Sequence, residues 1–180
     1  SPAGAQAPPT LTAPVNDFAK VIDAEREAQL DTLIRQLQAA SGDVIVVATV
    51  KTFQPAADLR VYANEMFENA GKGIGQKGRD NGMLVVLAVD DREVWAEVGY
   101  DLEGIITDGF AGETSRRSMV PYFRNGDYGG GLLTGVTLFA RRIAEARNVE
   151  LEGVPVRQPV EAPSGGGFPL VLVFVLAMIA

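Results

Sequence analysis

The sequence contains neither cysteine nor histidine among its 180 residues. Without cysteine the chain forms no disulfides and offers no thiolate for catalysis, for an iron–sulfur cluster or for zinc. Without histidine it has no Ser-His-Asp triad, no imidazole base and no imidazole ligand for a transition metal. Any chemistry must therefore use carboxylates, hydroxyls, lysine, arginine, tyrosine and backbone groups. A bound metal would be one that prefers oxygen ligands, such as Ca²⁺, Mg²⁺ or Mn²⁺.

Basic and aromatic residues are also scarce. Lys and Arg number 16 against 23 Asp and Glu, which gives a net charge of −7, and aromatic residues make up 7%. A protein that neutralises nucleic-acid phosphates usually carries charge of the opposite sign, so we expect no nucleic-acid partner. Hydrophobic residues make up 47% of the chain, which is enough for the core of one ordinary domain.

The two ends of the chain differ in composition from its middle. Residues 1–14 carry no charge and four prolines, which predicts an extended lead-in. Residues 151–167 are rich in proline and glycine and predict a linker. Residues 168–180 are uncharged and apolar, but a membrane span needs about 20 such residues. We interpret this run as the start of a transmembrane helix; a C-terminal core strand is the alternative.

The middle of the chain, residues 15–150, predicts an α/β domain. Continuous apolar runs at 44–50 and 83–89 predict buried strands, and the alternation at 93–98 predicts a half-exposed third strand. The predicted order is αβαββαα, with the first two strands parallel and the third antiparallel, which makes a small mixed sheet covered by helices. Helices are expected after Asp23, from Pro55, from Thr107-Asp108 until just before Pro121, and from about Asp127-Tyr128.

The segment from Gly73 to Gly78 matches the dinucleotide-binding pattern G-x-G-x-x-G. That pattern requires a loop that leaves a strand and opens a helix, so that the helix N-terminus faces the pyrophosphate. Here the loop leaves a predicted helix and enters a predicted strand. The segment therefore predicts a connector with glycines at positive φ, and we expect no nucleotide cofactor.

Acidic residues are expected to converge at one end of the predicted hairpin. If Asp90-Asp91 form a two-residue turn, the numbers of paired residues add up to 181, so Asp80 lies opposite Asp101. Clustered carboxylates are unfavourable unless a cation or a basic side chain neutralises them, and oxygen ligands of this kind suit Ca²⁺ or Mg²⁺. The candidate metal ligands are Asp80, Asn81, Asp101, Glu103 and Asp108.

These acidic residues also have an interpretation without a metal. Asp108 would then only cap its helix, Glu103 would be solvated, and Lys77 or Arg79 would neutralise the remaining charge. The spacing alone leaves both interpretations open.

Two stretches of the sequence resemble the TPM domain family. They are KGRDNGMLVVLAVDDREVWAEVGYDLEGIITD and MVPYFRNGDYGGGL, and the resemblance extends over roughly residues 15–147. The family includes thylakoid-lumen proteins involved in photosystem II repair and many bacterial membrane-anchored proteins. The resemblance implies a three-layer α/β/α sandwich outside the cytoplasm, tethered by a single C-terminal transmembrane helix.

The resemblance also implies a divalent cation, with Ca²⁺ expected ahead of Mg²⁺. The positions that match the family pattern are Asp80, Asn81, Glu103 and Asp108, with Asp127 as a further candidate. Asp101 falls where the family pattern varies.

Three functions remain open on the sequence. The first is a membrane-tethered extracytoplasmic domain that binds a divalent cation and acts in assembly or maintenance of membrane protein complexes. The second, a metal-dependent phosphatase, is suggested by some family members, although no residue stands out as a nucleophile. Its candidate phosphate-binding residues are Lys72, Lys77, Arg79 and Arg124. The third is a purely structural stalk with no cation dependence.

Overall fold

The computed structural model describes residues 7–153, whose framework is a four-stranded sheet between two layers of helices. The strands follow one another across the sheet as β1 (Val15–Asp17), β2 (Val44–Val50), β3 (Gly82–Ala88) and β4 (Glu93–Val98). The first three are parallel, and β4 returns antiparallel to β3. This arrangement confirms the predicted α/β sandwich with a small mixed sheet.

Helices cover both faces of the sheet. They are α1 (Ala24–Ser41), α2 (Leu59–Glu68), α3 (Asp108–Thr114), α4 (Val120–Arg124) and α5 (Tyr128–Arg147), and a π-helical segment, Ser115–Met119, joins α3 to α4. Side chains of β3 alternate between two cores: Val85 packs in the core that contains α1 and α5, whereas Leu84 packs in the core that contains α2. All seven residues of β3 are buried, which explains its unbroken apolar sequence.

Local sequence signals fix the ends of the two long helices. The Asp23 carboxylate accepts a hydrogen bond from the Arg26 amide at 3.0 Å and begins α1. Gly42, at a φ of 81°, ends α1 in the left-handed conformation that glycine adopts without strain. The Asp127 carboxylate caps α5 by accepting from the Gly130 amide at 2.8 Å. The starts of both helices agree with the expectations from the sequence.

The start of the domain, together with the residues just before it, contains contacts that the sequence analysis did not predict. Residues 15–17 form β1, which pairs with β2 and was not predicted. Upstream of it, Leu11 is only 8% exposed and joins the core on the α2 side of the sheet. The buried Asn16 side chain donates to the carbonyl oxygens of Ala13 and Val47. β1 is three residues long and two of them are polar, so no hydrophobic periodicity in the sequence identifies it. It forms because it pairs with the edge of β2.

Two predicted helix boundaries also change. The second helix begins at Leu59 and not at Pro55, because the Asp58 carboxylate accepts from the Val61 amide at 2.8 Å and caps the helix there. The helical chain that starts at Asp108 does not stop before Pro121, which lies in the first turn of α4. Proline has no amide hydrogen, so residue 121 donates no hydrogen bond back into the π-helical segment that precedes α4.

Several predictions lie outside the described residues. They concern residues 1–6, the linker beyond residue 153 and the apolar run 168–180. Between residues 7 and 153, no helix is both long and apolar enough to cross a bilayer.

Candidate acidic site

The β3–β4 hairpin places Asp80 opposite Asp101, as the predicted register requires. Met83 pairs with Val98 and Ala88 with Glu93, so the numbers of paired residues add up to 181. The Arg92 amide donates to the Val89 carbonyl at 3.2 Å and closes the two-residue turn. At the other end, the Asp101 amide donates to the Asp80 carbonyl at 3.2 Å.

Asn81, one of the predicted ligands, has its side chain inside the fold. Its amide oxygen accepts from the Gln76 backbone at 2.7 Å, and its amide nitrogen donates to the Gly42 carbonyl at 2.8 Å and to Asp43 Oδ1 at 3.2 Å. The residue is fully buried. Asn81 therefore ties the glycine-rich loop before β3 to the turn before β2.

An ion-pair network lies beside Asn81 and involves two residues that the sequence analysis missed. Arg147, in the last turn of α5, donates through Nε to Asp43 Oδ2 at 2.9 Å and through Nη2 to Asp43 Oδ1 at 3.1 Å. The same Nη2 donates to Asp101 Oδ2 at 2.8 Å, and Arg79 approaches that oxygen to 3.5 Å. The hydrogen bond to Asp43, supported by the one to Asp101, raises the pKa of Arg147 above its usual value. The only signal for this network in the sequence is the position of Asp43, a charged residue directly before the buried strand β2.

We call Asp43, Asp80, Asp101 and Glu103 the acidic edge. Asp43 is fully buried, whereas the other three are exposed. Within the described residues, the Asp80 and Glu103 carboxylates accept no hydrogen bond and form no ion pair, and Asp101 keeps Oδ1 without a partner. Four carboxylates and the two guanidinium groups that contact them leave two formal negative charges at this edge.

Two further candidate ligands lie away from the acidic edge. Asp108 lines a groove beside the middle of β4, together with Trp95, Ala96 and Arg116. In this position Asp108 forms no hydrogen bond or ion pair with Asp80 within the described residues, and an ion shared by the two residues stays a prediction. Asp127 caps α5. Across residues 7–153, no three acidic side chains are grouped closely enough to form a ready-made metal site.

The candidate phosphate-binding residues fall into two separate places. Lys72 and Lys77 are exposed in the glycine-rich loop, and Arg79 contacts Asp101. Arg124 lines a cavity together with Leu87 and Val89, near the opposite end of β3. The length of β3 alone separates the two places by about 20 Å. The glycine-rich loop itself is a connector as predicted, with Gly73, Gly75 and Gly78 at positive φ.

Comparison with known proteins identifies relatives of this fold. A family model described as the TPM domain matches residues 15–142. The solved N-terminal domain of a protein from P. gingivalis is 28% identical with a TM-score of 0.68, covering 78% of this chain and 87% of that one. No match was found among curated proteins.

Two more solved structures share the fold at lower identity. The BA42 protein from Bizionia argentinensis is 22% identical with a TM-score of 0.58, covering 77% of this chain and 91% of that one. The N-terminal domain of the cg2496 protein from Corynebacterium glutamicum is 17% identical with a TM-score of 0.56, covering 79% and 85%. At these identities the likeness concerns the fold alone.

Proposed function

Since the chain belongs to the TPM domain family, we propose that it is an extracytoplasmic domain that binds a divalent cation at its acidic edge. The ligands in this proposal are Asp80, Asp101 and Glu103. We further propose that residues 168–180 begin a membrane anchor and that the domain acts on membrane protein complexes, in their assembly or maintenance.

The observation that carries the cation proposal is the presence of free carboxylate oxygens on three exposed residues in the segments just before β3 and just after β4. Asp80 and Glu103 have no partner among the described residues, and Asp101 uses only Oδ2 for its two arginines. Carboxylates that share a site repel one another, and a cation between them relieves that repulsion. Asn81 and Asp108 are left out of this ligand set because one is enclosed in the fold and the other lies beside β4.

The kind of site favours Ca²⁺ over Mg²⁺. The three carboxylates lie on exposed connections at the end of the hairpin, and their side chains must turn toward one another to share an ion. Ca²⁺ accepts six to eight oxygen ligands in flexible geometry, whereas Mg²⁺ demands near-ideal octahedral geometry and keeps several waters.

The membrane anchor rests on sequence. Residues 168–180 carry no charge and follow a segment rich in proline and glycine, as expected where a tethered domain meets a bilayer. An anchor in that position would hold the acidic edge outside the membrane.

Calcium titration of thermal stability tests the cation proposal. A ligand that binds only the folded state stabilises it by about 2.7 kcal/mol at a hundredfold excess over Kd. We expect Ca²⁺ to raise the Tm of the parent protein, and Asp80→Asn and Glu103→Gln each to remove most of that rise. The control is Asp90→Asn, which removes an exposed carboxylate from the other end of the hairpin and should leave the response unchanged.

Two outcomes would alter or overturn the proposal. If Asp108→Asn abolishes the response as well, the ligand set is the wider one that the family resemblance implies. If the parent shows no rise with Ca²⁺ or Mg²⁺, the domain is a structural stalk.

A metal-dependent phosphatase is the alternative, and its activity would depend on the same ion. Arg79 is the candidate phosphate-binding group that contacts the acidic edge, but it is already paired with Asp101. We therefore favour binding over hydrolysis. Hydrolysis of a phosphomonoester that requires Ca²⁺ or Mg²⁺ and is lost in Asp80→Asn, but not in Asp90→Asn, would establish the alternative.

A further inference from the structure

A cavity of about 600 Å³ opens at the end of the sheet opposite to the acidic edge. Its residues come from the end of β3, the β3–β4 turn, α4 and the start of α5. The apolar part of the wall includes Leu87, Val89 and Phe123, and two arginines, Arg92 and Arg124, complete it. In open α/β sheets, ligands commonly bind in crevices outside the carboxyl ends of the parallel strands, and this cavity lies at that end of β3.

The two arginines are the unusual feature of this cavity. Among residues 7–153, neither Arg92 nor Arg124 forms an ion pair or donates a side-chain hydrogen bond to the protein, and no carboxylate lines the cavity. Guanidinium groups do not lose their charge at physiological pH, so two of them beside one cavity repel each other. An anion between them would remove that repulsion and accept their hydrogen bonds.

Of the three carboxylates near the cavity, two accept hydrogen bonds from other groups and the third does not line the cavity. Asp91, in the hairpin turn, accepts from Thr52 Oγ1 at 3.2 Å and from the Phe53 amide at 3.0 Å. Asp127, next to the cavity in sequence, accepts from the Gly130 amide. Asp90 is exposed in the turn and does not line the cavity. None of these three carboxylates is paired with Arg92 or Arg124 in the described part of the chain.

The backbone holds both arginines in fixed positions. The hydrogen bond from the Arg92 amide to the Val89 carbonyl sets where Arg92 leaves the turn. Arg124 ends α4, and Gly126, at a φ of 76°, reverses the chain so that the Asp127 amide can donate to the Tyr122 carbonyl at 3.0 Å. The backbone of both arginines is therefore fixed, one in the hairpin turn and the other at the end of α4.

The apolar wall indicates what else the occupant carries. The rings of Phe123 and Tyr128 lie 6.0 Å apart at an angle of 30°, and both residues line the cavity. Aromatic and aliphatic walls with a few polar groups are typical of sites for small organic ligands. We propose that this cavity binds a small organic anion, with its carboxylate or phosphate group between Arg92 and Arg124 and its apolar body against Phe123 and Tyr128.

Four small probes test this proposal on the full chain in the presence of a chelator, which excludes binding through a cation. They are phenyl phosphate, phenylacetate, inorganic phosphate and the neutral benzyl alcohol, each measured by the rise in Tm and by titration calorimetry. We expect the two aromatic anions to bind more tightly than inorganic phosphate, and benzyl alcohol not to bind. The ratio of the Kd values for phenyl phosphate and phenylacetate identifies which anionic group, phosphate or carboxylate, the cavity prefers.

Substitution of the arginines locates the site. Arg92→Gln and Arg124→Gln should each weaken binding of the aromatic anions by about tenfold or more, because each removes charged hydrogen bonds. The control is Arg60→Gln, which removes the same charge from exposed α2 on the opposite face of the sheet. Since the comparison of anions with benzyl alcohol uses the parent protein alone, the test does not depend on the folding of any variant.

The proposal is overturned if no aromatic anion binds at millimolar concentration or if benzyl alcohol binds as tightly as the anions. It is also overturned if Arg92→Gln and Arg124→Gln bind the aromatic anions as tightly as the control Arg60→Gln does. A failure of the cation proposal leaves it untouched, because the chelator removes that ion throughout.

Discussion

Arg147 and Asp43 are joined by two hydrogen bonds, of 2.9 and 3.1 Å, across 104 positions of sequence. The pair fastens the last turn of α5 to the start of β2. Asp43 is fully buried whereas Arg147 is 26% exposed, so the carboxylate depends on its partner far more than the guanidinium does. Through Asp101, the same arginine links this pair to the exposed part of the acidic edge.

Removal of the arginine should therefore be costly. Arg147→Met leaves the buried Asp43 without its countercharge, and loss of one partner from a buried pair typically lowers the free energy of unfolding by about 3–5 kcal/mol. Urea unfolding measures the change. Arg35→Met, which breaks an exposed pair with Asp31, should cost less than about 0.5 kcal/mol; similar losses in both variants would show that the buried pair contributes nothing special.

Close contact between Asp80 and Gly99 explains why glycine occupies the end of β4. A Cβ atom at position 99 would overlap the backbone carbonyl of Asp80, whereas one at Gly104 would meet nothing within 4 Å. We expect Gly99→Ala to lower the free energy of unfolding by about 2 kcal/mol, as overpacking against a rigid backbone does, and to weaken any response to Ca²⁺. Gly104→Ala is the matched control, and a neutral result at both positions would contradict so close an approach of the two backbones.

Leu11 tests whether the lead-in belongs to the folded domain. Its side chain is buried on the α2 side of the sheet, and its backbone amide donates to Asn69 Oδ1 at 2.9 Å. Leu11→Ala should lower the free energy of unfolding by about 2 kcal/mol, the lower end of the range for buried leucines. The neighbouring exposed Thr12→Ala should change it little. Equal stability of both variants would show that burial of Leu11 contributes nothing to the folded domain.

Tyr62 predicts a loss of stability in alkali. Burial, together with the negative charge of Glu65, raises the pKa of its phenol above the usual value of 10. Below pH 10 the phenol is neutral in both the folded and the unfolded state, so it contributes nothing to the pH dependence of stability. Above pH 10 the unfolded chain loses this proton first and binds fewer protons than the folded one, so the stability of the fold decreases as the pH rises.

Thermal unfolding between pH 9 and pH 11 measures this effect. Tyr62→Phe should show a smaller decrease in stability over that range than the parent protein does. Tyr100→Phe is the control, because it removes the same hydroxyl from a side chain that is 81% exposed. The same decrease in all three proteins would contradict the prediction.

The sequence by itself determined the α/β architecture of this protein, three of its four strands and the ends of its two long helices. The runs 44–50 and 83–89 could only be buried strands, because unbroken β-branched and aliphatic residues suit a strand covered on both faces. The Asp90-Asp91 turn fixed the register of β3 and β4, because a two-residue turn leaves no freedom in the pairing. Asp23, Gly42 and Asp127 marked helix ends through hydrogen bonds that are local in sequence.

Only the tertiary structure decided β1 and the neutralisation of the acidic edge. β1 exists because β2 offers it a partner, and Arg147 reaches Asp43 because α5 packs beside α1 and ends near β2. The same packing brings Arg92 and Arg124 to one cavity and leaves Asp108 beside β4. These contacts join residues that are distant in the chain. A pairing of charged residues that are far apart in sequence produces no periodic pattern from which it could be predicted. Local signals therefore placed the helices and most strands, whereas the packing of the helices on the sheet determined which charged groups meet.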